Sequence, residues 1–127
     1  MPLVKIELRK GRNIETLIQL QNIVMDCIVE CLGLPYDDRN VRLIEYPDYA
    51  FSMKQPYEII IEISMFSGRS NETKKKLFQT IVTRLYDSLN IKKESVFILL
   101  NDQPQENWGV RGGIPAIEVN LGFKVNI

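Results

Sequence analysis

Three features of the chain predict an α+β domain of two tandem βαβ units, with a four-stranded sheet, two helices on one face and a C-terminal strand. A glycine-arginine segment recurs 57 positions after its first copy. Each copy follows a strand-like apolar stretch and precedes a stripe of apolar residues at helical spacing. The last residues then alternate strictly between apolar and polar. At 127 residues the chain has the size of one domain, able to bury a core without disulfides or metals.

The first strand is expected over Val4 to Leu8 and ends in Lys10-Gly11-Arg12-Asn13-Ile14-Glu15-Thr16. A helix should follow, because Leu17, Leu20, Val24, Cys27, Ile28 and Cys31 fall on one face; Gly33 and Pro35 stop it. Val41 to Glu45 then resumes as a strand. The second half repeats the order. Tyr57 to Met65 reads as a strand and Ser67-Gly68-Arg69-Ser70-Asn71-Glu72-Thr73 as the matching turn. Leu77, Phe78, Ile81, Val82, Leu85 and Leu89 form the helical stripe, Asn90 the stop, and Val96 to Leu100 the last strand of the repeat. A long helix between two strands implies a right-handed parallel crossover. The boundaries are a pseudo-repeat of 1–56 and 57–113 within a single domain, followed by an oligomerisation strand over 114–127.

The strands carry apolar residues at odd and even positions, Ile59, Ile60 and Ile61 among them, while helices cover only one face. The second face therefore needs a cover. Ile117, Val119, Leu121, Phe123, Val125 and Ile127 alternate with polar residues or glycine; a self-contained domain could fold this stretch back, but it also suits pairing with the sheet edge of a neighbouring subunit, and an oligomer is favoured.

Composition excludes several kinds of chemistry. Sixteen basic residues balance 16 acidic ones, and Lys74-Lys75-Lys76 and Lys92-Lys93 read as a solvated helix face and helix end, so no nucleic-acid partner is expected. With no histidine, histidine triads, the usual histidine-containing zinc sites and imidazole catalysis are absent. Cys27 and Cys31 lack a second ligand pair and read as small core residues. No apolar run approaches a membrane span, and Met1-Pro2-Leu3-Val4-Lys5 lacks a secretory pattern, so a cytoplasmic location is expected.

Pro2 directly after the initiator Met, the two Gly-Arg turns, Gly33-Leu34-Pro35-Tyr36-Asp37-Asp38-Arg39 and Asn107-Trp108-Gly109-Val110-Arg111-Gly112-Gly113 together resemble the tautomerase superfamily over nearly the whole chain. The first half is similar to a single 4-oxalocrotonate tautomerase subunit. The fused length is similar to the malonate semialdehyde decarboxylase-like branch. The resemblance implies a homotrimer acting on a small carboxylate, with neither cofactor nor metal. It further implies that Pro2 is the catalytic base, that Arg69 binds substrate carboxylate and that Asp38 activates water or orients substrate. Trp108 would form an apolar wall with Arg111 at the rim, and Arg12 and Arg42 match substrate-binding arginines of the shorter tautomerases.

Once Met1 is removed, the Pro2 nitrogen is a secondary amine; with Met1 attached it is an amide with no basic lone pair. Free amino termini titrate near 8, and both an apolar pocket and nearby guanidinium groups lower that value. A neutral amine can move a proton next to a carbonyl, the general-base step of a keto-enol tautomerase. Plainer roles exist for each residue: an ordinary second position for Pro2, solvated turns for the arginines, a turn cap for Asp38 and packing for Trp108. The decarboxylase pattern carries two arginines separated by one residue at the second turn, whereas Ser67-Gly68-Arg69 retains only the latter. Tautomerisation of a small enol or 2-keto acid is thus expected first, with decarboxylase or hydratase chemistry, or a non-catalytic trimeric binding protein, as alternatives.

Overall fold

The structure is a computed structural model that describes residues 2–127. Met1, whose removal the proline chemistry requires, lies outside the described residues. Strand β1 (Leu3–Arg9), helix α1 (Ile14–Leu32) and strand β2 (Val41–Tyr46) form the first unit. Strand β3 (Ile59–Phe66), helix α2 (Asn71–Leu89) and strand β4 (Val96–Gln103) form the second. The sheet order is β2-β1-β3-β4, parallel within each unit and antiparallel where β1 meets β3. The two units are thereby related by an approximate two-fold axis between β1 and β3.

The helix ends follow from their residues. Asn13 and Ser70 are N-caps whose side chains accept from the Thr16 and Thr73 N–H groups, and Gly33 and Asn90 close the helices in the left-handed conformation. Alternation along the strands decides the layers. Ile6 pairs with Leu43 and with Ile61, which pairs with Ile98, and this row points toward the helices. Val4, Ile6, Leu8, Ile59, Ile61 and Ile63 are fully buried there against Leu20, Val24, Ile28, Leu77, Ile81 and Leu85. Fully burying each such side chain contributes about 1.5–3 kcal/mol.

The opposite face is open in the single chain. Leu3, Ile44, Phe97 and Leu99 remain exposed on it, as the apolar residues at both parities anticipated. Its centre is charged: Lys5 lies 3.8 Å from Glu7 and 3.5 Å from Glu62, and the Tyr46 hydroxyl donates to Glu7.

Within the single chain residues 114–127 do not run as one continuous strand; the pairing with a neighbouring subunit suggested by the sequence needs a second copy. Instead β5 (Gly109–Val110) and β6 (Ile114–Pro115) make a small hairpin, followed by a 3-10 turn over Ala116–Glu118 and irregular chain. A strand needs a ladder partner, and among the described residues only Ile114–Pro115 of this segment finds one, in Gly109–Val110. At Gly122 (φ +77°) the N–H donates to Asn120 Oδ1 at 3.1 Å, so the backbone bends where an alternating strand would continue. The segment runs across the end of the sheet, with Phe123 packed on the core.

Candidate active site

The register places Leu3 opposite Ser64, so the start of β1 and the end of β3 share one end of the sheet. Pro2 is buried there. Its carbonyl accepts from Asn40 Nδ2 at 3.2 Å, and the same nitrogen lies 3.5 Å from Asp38 Oδ1. Asp38 is set by a turn in which its N–H donates to the Pro35 carbonyl at 3.0 Å. Arg39 anchors this loop to α1: it pairs with Asp26 at 2.8 Å, donates to the Asn22 carbonyl and stacks on Tyr36.

A pocket of about 240 Å³ opens beside the loop, lined by Pro35, Asp37, Asp38, Arg111, Leu121 and Phe123. Arg111 sits at the exposed tip of the β5–β6 hairpin with φ +49°, followed by Gly112 and Gly113, whose φ values are also positive. Phe123 stacks on Phe66 with centroids 6.3 Å apart, and Trp108 meets Phe66 edge-on at 5.1 Å. These three rings form an apolar wall that reaches the second Gly-Arg turn.

Arg69 leaves that turn and is only 7% exposed. Its Nη1 donates to the Phe66 carbonyl at 3.0 Å, whereas its Nε and the buried Trp108 Nε1 have no hydrogen-bond partner among the described residues. A buried donor left unpaired is unfavourable by about 1–3 kcal/mol, so an acceptor arriving at Arg69 is favoured. Burial lowers the Arg69 pKa and nearby Asp102 opposes the shift; an arginine remains charged at neutral pH regardless.

Pro2, Asp38, Arg69, Trp108 and Arg111 therefore gather at one end of the fold. Arg12 and Arg42 do not join them within the chain. Arg12 follows the end of β1 and lines a separate cavity with Glu58, Leu89, Asn90, Ile91, Lys92 and Ser95. Arg42 alternates onto the open face of the sheet, opposite Lys5. Asn40, Phe66, Leu121 and Phe123 were not singled out for the site from the sequence. Asn40 precedes a strand with no motif of its own, Phe66 lies just past the strand read over Tyr57 to Met65, and Phe123 read only as an apolar position of the C-terminal alternation.

The family model described as "Tautomerase enzyme" matches residues 54–111. "Probable tautomerase YusQ" of Bacillus subtilis (strain 168) is 31% identical over 121 residues, covering 89% of this chain and 95% of that protein. A "fused 4-OT" solved as a symmetric trimer superimposes with a TM-score of 0.81 at 21% identity, covering 91% of this chain and 96% of the other. Malonate semialdehyde decarboxylase does so with a TM-score of 0.82 at 18% identity, covering 91% and 96%. At these identities the two solved structures establish the shared fold alone.

Proposed function

Because the chain belongs to the tautomerase superfamily, in its fused-length branch, we propose that it is a keto-enol tautomerase acting on a small enol or 2-keto acid, with Pro2 as general base. The observation that carries this is the burial of Pro2 in a position tied through Asn40 to Asp38, at the sheet end that also holds Arg69. With Met1 removed, the prolyl nitrogen is an amine whose charged form is disfavoured by burial and by neighbouring guanidinium groups. It accepts a proton from the enol or from carbon and returns it to the other position.

Arg69 is the partner for the substrate carboxylate, its fork of donors able to stabilise negative charge that grows on the enolate oxygen. Trp108, Phe66 and Phe123 exclude water from that end, which strengthens each electrostatic interaction within it. Asp38 orients substrate, and Arg111 meets a second polar group at the rim. The functional unit is a homotrimer whose subunits cover one another's open faces; a fused protein of the same fold is a symmetric trimer. Arg12 and Arg42 belong to this proposal only as residues that a neighbouring subunit would have to bring to the site.

Asp38 in the pocket with Arg111 also supports a second reading, hydratase or decarboxylase chemistry in which this carboxylate activates water. Ultraviolet assays of a panel of 2-hydroxy-2-alkenoic acids decide between them. Enol-to-keto conversion that disappears in Pro2→Ala, with the trimer retained, is the expected result. Activity unchanged in that variant removes Pro2 from the mechanism, and an intact mass that retains Met1 in protein from its natural host removes the amine.

A further inference from the structure

The segment from Leu121 to Ile127 lies across both flanks of Arg69. Phe123 stacks on Phe66, three residues before the arginine and the acceptor of its Nη1. At Gly68, directly before it, the backbone runs so close that an added Cβ would stand 2.6 Å from Asn126 Oδ1 and 3.0 Å from the Val125 carbonyl oxygen. Directly after it, the Ser70 N–H donates to the Ile127 main-chain oxygen at 2.8 Å, and Thr73 Oγ1 donates to the same atom at 2.9 Å. Leu121 and Phe123 of this segment also wall the pocket of Asp38 and Arg111.

The first Gly-Arg turn serves as an internal comparison. It has the same cap geometry, with Asn13 accepting from Thr16 N–H at 2.8 Å, yet a Cβ at Gly11 would meet nothing within 4 Å. Arg12 is only half-buried, whereas Arg69 is buried. The cap chemistry is shared by both turns; the crossing segment is present at one. Burial of the arginine accompanies the segment.

We infer that Leu121–Ile127 is a positioning strap that holds Arg69 in place for the substrate carboxylate, so that Thr73, which lies outside the pocket lining, sets how tightly that carboxylate is held. The inference rests on the proposed tautomerase site. Arg69 has many rotamers, and fixing them before substrate arrives removes an ordering penalty from binding. Thr73 acts through Ile127 and the turn, and it is a positioning residue.

Thr73→Val removes the hydroxyl donor and keeps the Thr73 N–H bond to Ser70 Oγ at 3.2 Å, while Thr73→Ser retains the donor. In Thr73→Val the Ser70 amide should exchange faster with solvent, and the fluorescence of Trp108, packed on Phe66 beside Phe123, should shift. KM for an enolic acid should rise about three- to tenfold with kcat within about twofold, since the bond of the hydroxyl to Ile127 and its 3.0 Å contact with Ser70 Oγ are at stake. Thr73→Ser should restore all three. An unchanged Ser70 amide in Thr73→Val overturns the strap. A faster amide with an unchanged KM overturns its positioning role. Should the wild-type protein turn over no enolic acid, the proposed activity fails separately, and pyruvate affinity by calorimetry takes the place of KM. A loss of the same size in Thr73→Val then sustains the strap, and no loss overturns it.

Discussion

Asn40 holds the start of β1 at two points: its side-chain Nδ2 donates to the Pro2 carbonyl at 3.2 Å, and its own carbonyl accepts the Val4 N–H at 2.9 Å. The main-chain bond belongs to the β1–β2 pairing and survives a change of side chain. Asn40→Ala should therefore leave the melting temperature within a degree or two and lower kcat about five- to tenfold, the effect of losing one positioning hydrogen bond. Steady-state kinetics beside thermal unfolding checks this; equal kcat in the two proteins removes Asn40 from the site.

Arg69→Lys retains the charge and loses the planar fork. An ammonium group offers no paired donors for a carboxylate, and kcat/KM should fall about ten- to a hundredfold. The same substitution at Arg12, at the other end of the sheet, tests whether a neighbouring subunit brings that residue to the site. A matching fall there supports the assembled trimer, and an unchanged value confines the site to the residues gathered around Pro2.

Cys27 gives a stability signature at high pH. Burial pushes its thiol from 9.0 up to about 11, with Arg84 opposing the shift. The folded state holds this proton more tightly than the unfolded one, so the contribution is complete below about pH 9 and is lost as pH rises through about 11. Urea midpoints should drop across that window, and drop less in Cys27→Ala. Iodoacetamide at pH 8 should label the half-buried Cys31 before Cys27.

Gly11→Ala and Gly68→Ala form a matched pair. Both glycines have φ in the region that side chains disfavour, +144° and +128°. Each substitution is therefore strained by about 1–3 kcal/mol. Only at Gly68 does the new methyl group meet another segment, Val125 and Asn126. Overpacking of this kind adds about 1–3 kcal/mol, so Gly68→Ala should melt below Gly11→Ala. Equal melting temperatures would show that the segment moves aside freely.

Much of the fold could be read from local chemistry. Period-two alternation in the strands, the apolar stripes of both helices, and Gly33 and Asn90 at their ends act within a few residues of chain, and each is found where its pattern points; the N-caps Asn13 and Ser70 lie inside the duplicated turns. The duplicated turn likewise announced the two similar halves. The alternation from Ile117 to Ile127 records which residues avoid water and not which surface they meet, so it left open whether the segment folds back or pairs with a neighbouring subunit. A bend at Gly122 and packing of Phe123 on Phe66 took the place of a ladder.

The amino-acid sequence on its own determined the two βαβ units, their helix limits and the residue types that gather at the proline end. Tertiary structure alone decided that Asn40 reaches Pro2, that Arg69 is buried while its repeat partner Arg12 is left at the opposite end, and that residues 121–127 cross the second turn. Caps and periodicities are short-range interactions written in neighbouring residues. Which of two nearly identical arginines is buried depends on a segment more than fifty residues away, and that contact exists only once the chain has closed on itself.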